Sequence, residues 1–186
     1  KQNVVDIMLV SASNLEALAD KGVFKKSAVK PAIRANDTTD IWVGRGATYS
    51  KQASRPFRSA SLSRVKKYTD LGLYSITFNN DLDQDYNALE HFSAFREDAA
   101  RNKFNYFLEV FNPNVECGID PALVPHYIND SIIRCLAGVT KADRPQFLKI
   151  AYNGPKALEE LASFDPSITV GVLGGGAGTT RDCFEL

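Results

Sequence analysis

The stretch Leu73-Tyr-Ser-Ile-Thr-Phe-Asn79 decides how the rest of the chain is read. Side chains alternate across an extended strand, so Ser75, Thr77 and Asn79 share one face and Tyr74, Ile76 and Phe78 the other. Two later runs repeat this division. In Tyr106-Phe-Leu-Glu-Val-Phe-Asn112, Glu109 sits between Phe107 and Phe111, opposite Leu108 and Val110. In Phe147-Leu-Lys-Ile-Ala-Tyr152, Lys149 and Ala151 lie opposite Leu148, Ile150 and Tyr152. Strands of an open doubly wound sheet are covered by helices on both faces and are apolar on both. One apolar face with Ser, Thr, Asn, Glu or Lys on the other suits a TIM-type (β/α)8 barrel, whose helices cover the outside and whose interior converges on a site. The expected fold class is therefore α/β, with a barrel as its architecture.

Outward from these three runs, apolar stretches at Val4–Val10, Val29–Ala35 and Ile168–Leu173 also read as strands. Helical patterns fill the gaps at Asn14–Lys21, Ser61–Leu71, Tyr86–Asn102, Val124–Leu136 and Lys156–Phe164. Ser13, with Glu16 three residues on, fits a capping box for the first helix. Strand–helix alternation repeated this often implies right-handed βαβ units on a parallel sheet. No repeat or low-complexity linker divides residues 1–186, so one domain is expected. Six strands are two fewer than a barrel requires, and 186 residues are short of the roughly 250 typical of one. The chain begins just before a strand and stops inside a glycine-led helical pattern, so a partial barrel with sequence missing at both ends is expected.

Composition narrows the function classes. Twenty-two basic and 22 acidic side chains give zero net charge, and so no global attraction to nucleic acid or an anionic membrane surface. No apolar run reaches the roughly 20 residues of a membrane span. Three cysteines, Cys117, Cys135 and Cys183, leave at least one unpaired and form no C-x-x-C. A reducing, cytoplasmic compartment is the simpler reading.

Lys149 is the most informative residue. It lies mid-strand beside Phe147, Leu148 and Ile150, where burial is expected to pull a lysine down from its ordinary value of about 10.4. A neutral amine attacks a carbonyl and forms a Schiff base, which then serves as an electron sink. The competing reading is a strand lysine whose ammonium snorkels to solvent. Glu109, on the polar face of the preceding strand, tips the balance, because a carboxyl beside Lys149 shuttles protons as a carbinolamine forms and collapses. A purely structural Glu–Lys ion pair has the same sequence signature.

Leu173-Gly-Gly-Gly-Ala-Gly-Thr-Thr-Arg-Asp182 closes the last strand and reads as opening a helix at Thr179. Gly174, Gly175 and Gly176 would let backbone N–H groups approach a phosphate. The spacing is neither a dinucleotide-binding fingerprint nor a Walker loop, and a tight turn needing positive φ is the alternative. Arg34, on a strand face with Ala32 and Asn36, is a substrate-binding candidate. The segment 41–69 carries seven basic residues and no acid. It reads as a solvated loop and helix face, with a second phosphate, a subunit contact or weak RNA binding as the alternatives. His91 and His126 have no metal-ligand partner at a useful spacing, so no metal site and no cofactor are expected.

Taken in order, Asn80-Asp-Leu-Asp83, Leu108-Glu-Val-Phe-Asn-Pro113, Phe147-Leu-Lys-Ile150 and Leu173-Gly-Gly-Gly176 resemble the class I aldolases of the deoxyribose-phosphate and tagatose-bisphosphate aldolase superfamily. The resemblance is loose before Ser61 and better from Leu71 onward. It implies a (β/α)8 barrel in which the six strands are the second to seventh, Lys149 as the Schiff-base lysine and Glu109 as the acid–base residue. It also implies that Gly174–Gly176 hold the substrate phosphate. Ser75 stands where many relatives carry another lysine, which removes one device for activating Lys149. The implied activity is carbon–carbon bond cleavage or formation in a phosphorylated sugar or aldehyde, in a protein whose relatives are often homo-oligomers. The rivals are a catalytically silent barrel that senses a sugar phosphate, for which the Ser75 departure speaks, and a phosphate-binding isomerase or epimerase using Glu109 as base.

Overall fold

The computed structural model describes residues 4–41 and 44–174. Strands β1 (Ile7–Val10) and β2 (Lys30–Arg34) flank helix α1 (Ala12–Asp20). A small antiparallel ribbon follows, β3 (Asp37–Thr38) with β4 (Pro56–Phe57). Then come α2 (Leu62–Val65), β5 (Leu71–Thr77), α3 (Leu82–Arg101), β6 (Asn105–Phe111), α4 (Val124–Leu136), β7 (Phe147–Ile150), α5 (Pro155–Phe164) and β8 (Thr169–Val172). The six longer strands form one parallel, curled sheet in the order β1-β2-β5-β6-β7-β8, so each strand lies beside the next in sequence.

The expectation of a (β/α)8 barrel is overturned here. Among the described residues β1 and β8 are the two edges of an open sheet, with no ladder between them. Closure needs a strand number, tilt and stagger that agree, and six strands leave this sheet a curled half. The division of faces explains why the sequence pointed further. Every helix packs on one side, where Ile33, Tyr74, Ile76, Leu108, Val110, Leu148 and Ile150 meet Leu15, Phe92, Phe95, Ile128, Ile132 and Leu161. Tyr74 stacks on Phe95 at 4.4 Å between ring centroids. Burying each such side chain contributes about 1.5–3 kcal/mol, so this layer carries most of the fold's stability. Strand polarity therefore reports which face the helices cover, and says nothing about closure.

On the other face a smaller apolar floor lies toward the amino ends of the strands. It comprises Ala32, Leu71, Leu73 and Phe107, with Ile7, Leu9 and Phe147 against them. Phe107 and Phe147 stack there at 4.5 Å. One residue pair further along the strands, this face turns polar.

Three local readings also change. The helix expected over Ser61–Leu71 shrinks to Leu62–Val65, with residues 66–70 forming a turn and bend before Leu71 opens β5. A Cβ on Gly72 would sit 2.9 Å from the Phe104 ring and 3.2 Å from the Ile33 carbonyl, so glycine permits that close approach. Helix α1 is capped by Ser11, whose hydroxyl accepts from the Asn14 N–H, rather than by Ser13. Helix α3 begins at Leu82 because the Asp81 carboxylate accepts from the Gln84 N–H.

Candidate functional site

Strand register builds the site. Ser75 stands opposite Glu109, Glu109 opposite Lys149, and Lys149 opposite Gly171, giving one row across β5, β6, β7 and β8. In a parallel sheet such a row projects its side chains to one face. Gly171 adds no side chain to that row, and a Cβ there would sit 3.2 Å from the Leu148 carbonyl.

The Lys149 ammonium donates to Glu109 Oε1 at 2.7 Å. The Ser75 hydroxyl donates to Glu109 Oε2 at 2.6 Å, and Arg34 Nη1 lies 3.6 Å from the same oxygen. Glu109 is 1% exposed, whereas Lys149 and Arg34 keep 30% and 29% of their side chains open to solvent. A carboxylate this deep is tolerated only when paired and hydrogen-bonded, and here both oxygens are engaged. The cations reach inward from the rim while the acid sits at the base. Arg34 also donates to Ser75 Oγ at 3.2 Å, so its guanidinium lies beside both Ser75 and Glu109.

Asn36 holds this arrangement in place. Strand β2 ends at Arg34, but the Asn36 amide continues the ladder: its Nδ2 donates to the Ser75 carbonyl at 2.9 Å, and the Ser75 N–H donates to its Oδ1 at 2.6 Å. Above Ser75, Thr77 donates to Asp40 Oδ2 at 3.3 Å, and Ser54 donates to Asp40 Oδ1 at 2.6 Å. Asp40 and Ser54 come from the excursion that carries β3 and β4; Ser54 lies in the basic segment 41–69 that reads as a solvated loop, and Asp40 just before it. Asn114 ties the excursion down: its Oδ1 accepts from the Ser54 N–H, and its Nδ2 donates to the Gln52 carbonyl.

Of the residues singled out in the sequence, Lys149, Glu109, Ser75 and Arg34 therefore converge. Gly174 follows the end of β8, and a Cβ there would meet no atom within 4 Å. Gly175 and Gly176 lie outside the described residues. Asn36 was visible as a face-mate of Arg34. Asp40 and Ser54 carried no signal, since the loop path alone brings them to Thr77. His126 pairs with Glu160 on the surface, and the exposed His91 is remote from the row. Among the described residues, no three His, Cys, Asp or Glu side chains cluster as metal ligands would. No described helix is long and apolar enough to cross a membrane.

No family model matches the chain, and no curated protein matches it. The chain is similar in fold to the crystal structure of Cgl0159 from Corynebacterium glutamicum. The two share a TM-score of 0.53 and 15% identity, over 97% of this chain and 69% of that one. At that identity the likeness speaks for the fold alone.

Proposed function

We propose that the chain is a Schiff-base-forming class I aldolase acting on a phosphorylated sugar or aldehyde. The observation that carries this reading is the 2.7 Å contact between a partly exposed lysine and a buried carboxylate, toward the carboxyl end of a parallel sheet. Ligands of open α/β sheets bind at that end of the strands.

Glu109 takes a proton from the Lys149 ammonium, and the freed amine adds to the substrate carbonyl. The carbonyl electron pair moves to oxygen, which takes a proton from the adding nitrogen to give a neutral carbinolamine. Glu109 returns its proton to the departing hydroxyl, so ammonium and carbonyl become a protonated imine and water. The imine draws in the electron pair of the adjacent carbon–carbon bond. As that bond breaks, the neighbouring hydroxyl loses its proton to Glu109 and becomes the aldehyde product. Protonation and hydrolysis of the remaining enamine release the second product and restore Lys149. Arg34 and Ser75 hold Glu109 oriented throughout. Two described thiols, Cys117 and Cys135, are free, which accords with our placing the protein in the cytoplasm.

A second reading, a catalytically silent binder of sugar phosphates, is favoured by one observation: both Glu109 oxygens are already satisfied, as in a structural ion pair. Borohydride reduction in the presence of dihydroxyacetone phosphate separates the two. The aldolase requires a covalent adduct on Lys149. Ligand binding without any adduct leaves the silent binder.

A further inference from the structure

Arg34 borders two spaces. On one side it meets Ser75 and Glu109, and on the other it lines a cleft of about 640 Å³ beside the starts of α1 and α2. Ser11, Ser13, Asn36, Ser61 and Arg64 share that lining. Two acids reach the cleft as well, and both are engaged. Glu16 accepts from the Tyr68 hydroxyl at 2.8 Å and lies 3.9 Å from Lys67. Asp37 lies 3.7 Å from Arg34 and accepts from the Thr38 N–H at 3.0 Å. Arg64 is exposed, and among the described residues no carboxylate lies within ion-pairing distance of it. Helix α1 opens onto the same cleft with no acid in its first turn, leaving its positive end uncompensated. The cleft therefore offers one uncommitted guanidinium beside the Glu109–Lys149 row, with hydroxyls at Ser11 and Ser13, which bond each other at 3.2 Å, and at Ser61, which bonds Ser63 at 3.1 Å; each pair keeps one O–H to donate. A planar fork of N–H donors flanked by hydroxyls matches the oxygens of a phosphate monoester.

We propose that this cleft holds the substrate phosphate, with Arg64 as its charged anchor and Ser11, Ser13 and Ser61 as hydroxyl donors. A phosphate here is separate from the Gly174–Gly176 run. The assignment rests on the imine reading only for the other end of the ligand, which extends past Arg34 to Lys149.

Calorimetric titration of the full chain with glycerol phosphate tests the anchor alone, because that ligand has no carbonyl and forms no imine. Glycerol phosphate is expected to bind with an affinity that falls as salt rises, and glycerol to bind at least tenfold more weakly. Arg64→Ala should lose about tenfold in affinity for the phosphate ester, with partial recovery in Arg64→Lys. Arg101→Ala, on the exposed last turn of α3, serves as the control and should bind as the parent does. Arg64 is solvent-exposed, so an unchanged melting temperature establishes that its variants are folded. Equal affinity in Arg64→Ala and parent, or equal affinity for glycerol phosphate and glycerol, overturns the proposal. Arg64-dependent binding without a Lys149 adduct upholds this site and removes the imine reading.

Discussion

Glu109 and Lys149 form one ion pair, yet the two partners are unequally placed. The lysine is 30% exposed and turns to water if its partner goes, whereas the carboxylate at 1% exposure does not. Removing the lysine therefore strands a buried charge, with only Ser75 and the more distant Arg34 to compensate it. Lys149→Met is expected to cost about 3 kcal/mol of folding stability, and Glu109→Gln only about 1 kcal/mol. Denaturant unfolding of both variants measures the difference. Equal costs would mean that the carboxylate has water access the burial does not show. At this scale much of the site was legible from the sequence, because strand alternation alone put Ser75, Glu109 and Lys149 on polar faces. Their alignment in one row was not legible, since register depends on how neighbouring strands slide past each other. Asp40 was invisible altogether, because no local pattern links it to Thr77.

Elements explain why the row is rigid. Strand β5 is buried along its whole length and paired on both sides, with β2 through Ile33 and Arg34 and with β6 through seven residues. Gly72 lets that strand lie against Phe104 and the Ile33 backbone. Gly72→Ala forces a methyl group into space already filled, at a cost of about 1–3 kcal/mol, readable as a fall in melting temperature. A neutral result would show that Phe104 can move aside freely. The misjudged helix over Ser61–Leu71 has the same origin. Its apolar spacing suits a helix, yet residues 66–70 form a turn and bend, and the pairing of Leu71 with Asn105 begins the strand. Helix α3 gives the converse case, where a purely local signal, the Asp81 cap, sets the start at Leu82, ahead of the Tyr86 that apolar spacing suggests.

Across the whole molecule, the described strands form an open sheet whose middle carries the polar row. Strands β5 and β6 sit at the centre, while β1 and β8 are the edges among the described residues. Amide hydrogen exchange should follow that order, slowest in β5 and β6 and fastest in β1 and β8, as expected where edge strands open without global unfolding. Uniform protection from β1 to β8 would indicate that the edges are covered in solution. The polar row lies on the face the helices leave free, so the apolar layer behind it stabilises the fold while the row stays open to a ligand. In the proposed reaction Lys149 is the nucleophile and Glu109 moves its protons. Borohydride trapping with dihydroxyacetone phosphate, read by peptide mass on the parent and two variants, tests it most directly. The expected result is an adduct on Lys149 in the parent, none in Lys149→Met, and trapping slowed about 10²–10⁴-fold in Glu109→Gln. A parent protein that binds the ligand yet gains no adduct, or gains it on another lysine, would contradict the claim.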